Sequence, residues 1–440
     1  MKISALKPSQ LLALGFMAVI LLGSILLSTP WASNEGMPRD WLTALFTATS
    51  AVCVTGLVVV DTATNWSVFG QIVIMLLIQI GGLGIMSFST LFALLLGKKI
   101  LFRQRIIMQQ ALGNFTVQGI VNIFKYLLIF SFSFEIIGAV ILALHWIPIM
   151  GITKAIWFGI FHAISAFNNA GFDLFGNFKS LTELTVDGVA NMVISSLFIL
   201  GGLGFVVIYE IYAYKKTRKL SLHSRVVLIT TGALIVLGTV LILASEYNHA
   251  LHGLTPSHKL LASYFQAVTP RTAGFNTIDL TTLLLPTQLL IMFLMLIGGS
   301  PGSTAGGIKT ATFTLLWVAI YSILRGKRDT EIFKRRIESH EVSRALAITL
   351  LSIFVVFLMT FLISLTNQSD LVRILFEVVS ALGTVGLSLG LTSELNEFGR
   401  IIIIITMFLG RLGPITIGYA LVFRQQQAQV RYPEGKIMIG

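Results

Sequence analysis

Long apolar runs separated by short polar punctuation dominate the chain. Runs such as LLALGFMAVILLGSILL (11–27), FGQIVIMLLIQIGGLGIMSFSTLFALLLG (69–97) and IIIIITMFLG (401–410) predict helices that cross a hydrocarbon core, which is about 30 Å thick. Between them the basic residues are bunched. Of 31 Lys and Arg, four lie in GKKILFRQR (97–105), five between Lys215 and Arg225, and seven between Arg325 and Arg344. Each cluster follows a long apolar run, as cytoplasmic loops do under the positive-inside rule. Segments between clusters, such as TPWASNEGMPRD (29–40), are far less basic and are expected to face outward.

With the basic loops as punctuation, the chain divides into four similar units. Each has an apolar helix going out, a shorter half-apolar segment, a small-residue stretch around one glycine, and a long apolar helix returning. The short segments align without gaps: FTATSAVCVTG (46–56), FHAISAFNNAG (161–171), YFQAVTPRTAG (264–274) and FEVVSALGTVG (376–386). A second landmark follows each: GGLG (81–84), GGLG (201–204), GGSPG (298–302) and GRLG (410–413). The first-landmark glycines are 115, 103 and 112 residues apart, and the second landmark follows by 25, 30, 24 and 24. Such regular self-similarity is the mark of an internal repeat. An isolated GGLG reads most simply as a close helix-packing site.

The short segments have roughly a dozen residues against the ~20 needed to span, so they are expected to enter the membrane and return. The expected fold is an all-α integral membrane protein of four parallel helix–pore loop–helix repeats. It has eight spanning helices and four re-entrant pore helices around a pseudo-fourfold central pore. The repeats are drawn at residues 1–105, 106–222, 223–335 and 336–424, with a tail over 425–440, and both termini are expected in the cytoplasm.

Composition agrees with a multi-pass protein of the cytoplasmic membrane: 55% of the 440 residues are hydrophobic and 11% are charged. The net charge of +12 does not point to nucleic acid, because no RNA-binding motif or interleaved aromatic patch accompanies it. A single cysteine, Cys53, excludes an internal disulfide. No His, Cys or carboxylate cluster resembles a catalytic or transition-metal site, and no nucleotide-binding loop is present. An enzyme is therefore not expected.

Non-helical backbone at membrane depth survives only where protein or water satisfies it. A loop at the axis of four units meets that condition, because its carbonyls can face a permeating ion and replace the hydration shell of potassium. The candidate filter is Val54, Thr55 and Gly56, with Asn169, Ala170 and Gly171, Thr272, Ala273 and Gly274, and Thr384, Val385 and Gly386. Glycine tolerates the backbone dihedrals that aim successive carbonyls inward. Asp61, Asp173 and Asp279 follow their glycines closely and either concentrate cations at the outer mouth or are solvated loop residues. Cys53 is assigned only to packing behind the filter.

The third returning helix is interrupted by IGGSPGSTAGGIKT (297–310). Gly299, Ser300, Pro301, Gly302, Ser303, Thr304, Ala305, Gly306 and Gly307 predict unwound backbone facing the cavity below the filter. The alternative is an ordinary kink. Lys309 either puts a cation near the pathway or snorkels to the interface. Arg411 replaces the second glycine of its landmark, and a charge so deep should face the interior or water. It is expected to line the cavity and oppose ion passage, with an internal salt bridge as the alternative.

Four such units, with FHAISAFNNAGF (161–172) and SYFQAVTPRTAGFNT (263–277), resemble the Ktr/Trk/HKT superfamily of potassium transporters, and its KtrB-type membrane subunits most. The resemblance runs to RYPEGKIMIG (431–440). It implies potassium uptake, with glycine at 56 favouring potassium over sodium, a gating role for 297–310, and sodium left open as an activator. It also implies a homodimer on a cytosolic ring of nucleotide-binding, RCK-type (KtrA-type) regulatory subunits. The basic loops, especially 325–336, would meet that ring or anionic membrane lipids. A coupled secondary transporter of another cation or small solute is the rival reading. It calls for inverted repeats and several broken helices, against parallel repeats and one strong interruption here.

Overall fold

The computed structural model describes residues 8–84 and 120–413. The basic cluster at 97–105, the boundary at 105 and the tail 425–440 lie outside the described residues.

The described chain is mostly helical, and its order follows the four units. The first contains α1 (Pro8–Leu27), α2 (Trp41–Cys53), the short α3 (Thr62–Asn65) and α4 (Val68–Leu83). The second contains α5 (Ile120–Met150), α6 (Ile152–Phe167), α7 (Gly188–Leu203) and α8 (Phe205–Thr217). The third contains α9 (Leu222–Glu246), α10 (Pro256–Val268), α11 (Leu285–Leu296) and α12 (Thr310–Leu324). The fourth contains α13 (Ser339–Ser364), α14 (Leu371–Gly383), the short α15 (Leu391–Glu394) and α16 (Glu397–Leu412).

Local chemistry explains where these helices begin. Asp40, Ser67, Ser221, Thr255 and Asn396 each accept a hydrogen bond from a first-turn backbone N–H. Each such cap stabilises its helix by about 1 kcal/mol. The first helix of every unit holds a stretch long and apolar enough to cross a membrane: Gln10–Leu27, Lys125–Met150, Leu222–Glu246 and Ser339–Ser364. Large apolar side chains remain exposed along them, including Leu22, Ile136, Val236 and Phe357. In water that surface would be costly; against lipid tails it is the expected solvent-facing side.

The returning helices differ from the sequence expectation. They are not long: α4, α7 and α16 have 16 residues and α11 has 12. Three stop at the last glycine of the second landmark, where Gly84, Gly204 and Gly413 adopt φ of +81°, +88° and +83°. In the second unit the chain resumes as α8 after a bend of 97°. So the interruption in the third unit is not the single broken helix that was expected. The landmark combines two functions: its first glycine allows close packing and its last one ends the helix.

Packing closes the four units on themselves. Helix α4 contacts α6, α7 contacts α10, α11 contacts α14, and α16 contacts α2. Each returning helix thus lies against the short helix of the next unit, and the fourth lies against the first. The landmark's leading glycine also lies tight against its own unit's short helix. A Cβ on Gly81, Gly201 or Gly410 would collide with the carbonyl oxygen of Val52, Phe167 or Leu382.

One element was not expected at all. Within the third basic cluster, β1 (Thr330–Ile332) and β2 (Arg335–Ile337) pair antiparallel, with Ile332 opposite Arg335. Its two turn residues, Phe333 and Lys334, have φ of +50° and +61°. The usual Asn-Gly signal for such a turn is missing, so the pattern gave no warning.

Candidate functional site

The short helices α2, α6, α10 and α14 run into the four aligned glycines. Gly56, Gly171, Gly274 and Gly386 have φ of +87°, +70°, +81° and +95°. Two residues ahead of each stands a second left-handed residue, Val54, Asn169, Thr272 or Thr384, with φ of +57°, +59°, +74° or +50°. Non-glycine residues rarely adopt that region, and such strain, of order 1–3 kcal/mol per residue, persists only where the surroundings impose it. Here it recurs at the same register in every unit.

The glycines meet one another in chain order. A Cβ on Gly56 would lie 2.5 Å from Ala170 O, and one on Gly171 would lie 2.9 Å from the Cα of Gly274. On Gly274 it would lie 2.5 Å from Val385 O, and on Gly386 it would collide with Thr55 O. The ring is closed: 56 to 171, 171 to 274, 274 to 386, and 386 back to 56. The carbonyls that precede the glycines, those of Thr55, Ala170, Ala273 and Val385, belong to it.

A set of buried hydroxyls that sequence reasoning missed holds these loops. Ser50 Oγ accepts from Gly56 N at 3.0 Å, and Ser380 Oγ accepts from Gly386 N at 3.1 Å. Ser165 Oγ donates to Phe172 O at 2.7 Å, and Thr269 Oγ1 donates to Phe275 O. Ser50, Ser165 and Ser380 occupy one column of the gapless alignment, six positions before the glycine; Thr269 is displaced by one. That column was the available signal.

Beneath the ring, residues 298–309 carry no helix. The segment is pinned at both feet, since Gly298 N donates to Ile308 O at 2.8 Å and Thr310 N to Gly299 O at 3.0 Å. It is also bonded to the end of α7. Ser300 N donates to Gly202 O at 2.9 Å, Ser300 Oγ to Leu203 O, and Phe205 N to Gly302 O at 3.1 Å. Thr304 Oγ1 donates to Asn169 Oδ1 at 2.9 Å, while a Cβ on Gly306 would collide with Thr384 Oγ1. The loop therefore touches filter-candidate residues of the second and fourth units, which face each other across the ring.

Arg411 ties this loop to the first unit. Its guanidinium donates to Thr304 O, to Gly81 O and, at 3.3 Å, to Gly82 O. Among the described residues it has no carboxylate partner, so the salt-bridge alternative does not describe it. Lys309 folds back on the loop and donates to Ala305 O at 2.7 Å and Gly306 O at 3.4 Å; it does not snorkel. Both cations spend their donors on backbone carbonyls of the loop or of the end of α4.

The acidic residues are bound into loops. Asp61 is buried and accepts from Thr64 N and, in the second unit, from Phe178 N, both at 2.9 Å. Asp173 accepts from Phe175 N, and Asp279 caps a short turn through Thr281 N. Asp61 is thus an inter-unit strut and not a solvated loop residue. Cys53 is a free, fully buried thiol. At its register the other units place Asn168, Arg271 and Gly383. Asn168 Nδ2 bonds Gln79 Oε1 and Glu135 Oε1, each at 2.9 Å, in a buried network the sequence did not reveal.

Comparison with known proteins assigns the chain. The family model described as TrkH, cation transport protein, matches residues 7–432. The chain belongs to the TrkH family of cation transport proteins. It is 43% identical over 435 residues to the Ktr system potassium uptake protein B of Bacillus subtilis, covering 98% of this chain and 97% of that one. It is also 43% identical over 442 residues to the potassium/sodium uptake protein NtpJ of Enterococcus hirae, covering 99% and 98%. The crystal structure of the potassium transporter TrkH from Vibrio parahaemolyticus has the same fold, with a TM-score of 0.70 at 20% identity over 93% of this chain and 84% of that one. The resemblance read from the repeat glycines is thereby borne out, and the chain is a multi-pass membrane protein of a cation-transport family.

Proposed function

We propose that this chain is the membrane subunit of a potassium uptake system and conducts the ion through a pore on the axis of its four units. The observation that carries this reading is the closed glycine ring. Four loops bring Thr55, Ala170, Ala273 and Val385 carbonyls to one place, the arrangement by which backbone oxygens replace a potassium ion's hydration shell. The filter comprises residues 54–56, 169–171, 272–274 and 384–386. Two buried hydroxyls there, Thr55 Oγ1 and Thr384 Oγ1, have no hydrogen-bond partner among the described residues and suit a cation ligand. The C-terminal ends of α2, α6, α10 and α14 approach the ring, and their partial negative charge favours a cation.

In this reading the repeats are parallel, with eight spans and four re-entrant helices around a pseudo-fourfold axis in the cytoplasmic membrane, termini inside. The loop 297–310 is the gate. Arg411 and Lys309 hold it across the pathway and add positive charge that opposes passage. The names of two relatives, one for potassium and one for potassium and sodium, support an alkali-cation cargo. The chain works as a homodimer on a cytosolic RCK-type ring, which the basic hairpin 330–337 and its flanks meet.

The test is rubidium uptake into proteoliposomes. Potassium is expected to compete far better than sodium, and equal competition would contradict the assignment. A second reading, a coupled cation carrier, is favoured by the broken helix at Gly204. It predicts that uptake stops when the coupling-ion gradient is collapsed, whereas a pore continues down the rubidium gradient.

A further inference from the structure

One buried carboxylate of the fourth unit lies outside both the glycine ring and the loop beneath it. Glu377 lies on α14, nine positions before Gly386, and is fully buried. Its Oε2 accepts from Ser388 Oγ at 2.8 Å, and its Oε1 accepts from Thr392 Oγ1. Ser388 Oγ accepts in turn from Gly390 N at 3.0 Å. One turn earlier on the same helix, Arg373 Nε donates to Leu389 O at 3.3 Å and its terminal nitrogen to Glu394 at 3.0 Å. The chain leaving the ring is thus laced to the helix that enters it.

The unit diagonally across the ring carries a counterpart. His162 stands at the same register, nine positions before Gly171, and is also fully buried. Its Nε2 accepts from Leu174 N at 3.3 Å, and its Nδ1 faces Phe158 O at 2.7 Å. A carbonyl on one side requires a donor and an N–H on the other requires an acceptor, so the imidazole is neutral with its proton on Nδ1. The other two units have nothing comparable. Thr47 returns its hydroxyl to Thr43 O in its own helix at 3.0 Å, and the third unit places Phe265 there.

Burying a carboxylate this deeply is unfavourable unless hydrogen bonds compensate it. Two hydroxyl donors from the outgoing strand supply that compensation. Their positions are fixed in exchange: Ser388 is two residues beyond Gly386, so its place constrains where the glycine meets Thr55 in the ring. Ser380, on the same helix, holds Gly386 N from the other side.

We propose that Glu377 is a positioning residue for the fourth filter loop, setting ion preference through Ser388 and Thr392. The inference rests on the filter reading given above. It assigns ion preference to a side chain that never touches the ion.

The test compares Glu377→Leu, Glu377→Gln and the paired Ser388→Ala, Thr392→Val variant, with Gly386→Ser as the filter control. The readout is the ratio of potassium to sodium competition against rubidium uptake, which does not depend on how much protein is folded. Glu377→Leu and the paired variant are each expected to lower that ratio about tenfold, the loss of the hydrogen bonds that hold the outgoing strand. Glu377→Gln should recover most of it, because its amide can engage both hydroxyls. If Glu377→Leu does not accumulate as folded protein, the paired variant decides alone. A paired variant with wild-type preference, beside a Gly386→Ser control that loses it, overturns the positioning inference only. A Gly386→Ser variant with unchanged preference overturns the filter reading beneath it.

Discussion

The glycine ring and the layer directly below it are built on opposite plans. At the ring, four loops separated by more than a hundred residues repeat one backbone course, left-handed at the glycine and again two residues before it. Below it, every contribution is different. One unit sends a thirteen-residue loop inward (297–309), another supplies Arg411, and a third offers the carbonyls of Gly201, Gly202 and Leu203 as the loop's anchor. On the proposed reading, coordination of a spherical ion asks the same of each side, so repetition is kept at the ring, whereas a barrier across an axis can come from one side only, so the repeat is broken below it.

That contrast can be broken at either layer. The largest effect is expected at the tightest glycine. Gly386→Ala puts a methyl against Thr55 O at a φ of +95°, and strain of order 1–3 kcal/mol or more corresponds to a loss of roughly 5- to 150-fold in rate. Gly171→Ala, with its nearest contact at 2.9 Å, should lose less. Rubidium flux per folded molecule checks the order, and equal losses would mean that ring tightness is not what matters.

Next in size is removal of the loop. Deleting residues 300–306 severs the bonds to α7, Asn169 and Arg411 at once, and flux should rise several-fold with ion preference retained. Unchanged flux would reduce the segment to a passive kink. Smaller again is Arg411→Ala, which leaves Thr304, Gly81 and Gly82 carbonyls without that donor. Flux should rise less than for the deletion, and thermal unfolding should show a loss of about 2–4 kcal/mol. Arg411→Lys, which keeps the charge but not the three-carbonyl reach, separates barrier from brace: if charge dominates, flux stays low.

The smallest effect is Thr304→Val. It removes one neutral hydrogen bond to Asn169 at a cost of about 1 kcal/mol. A modest rise in flux is expected, without a change in ion preference.

How much of this was legible in the residues follows the same division. Gly56, Gly171, Gly274 and Gly386 could be found because a repeated backbone course leaves a repeated spacing, and the second landmark recurs at a similar distance after each. The break in the third unit could be read because Pro301 and five glycines leave helical backbone no support. The 97° bend at Gly204 could not, since GGLG looks the same whether it packs or breaks. Arg411 was marked as unusual by its position, yet its partners lie 107 and 330 residues away, beyond any local pattern. The struts at Ser50, Ser165 and Ser380 share a column. Their partners depend on how each loop returns, which is a tertiary fact.

The central claim is that the ring chooses the ion. Its most direct test is rubidium uptake into proteoliposomes by wild type, Gly56→Ser and Gly274→Ser, titrated with potassium and with sodium. Both glycines approach a neighbouring carbonyl at the same Cβ distance of 2.5 Å, so both variants should lose much of the preference for potassium over sodium. Transport by both with the wild-type preference intact would contradict the account.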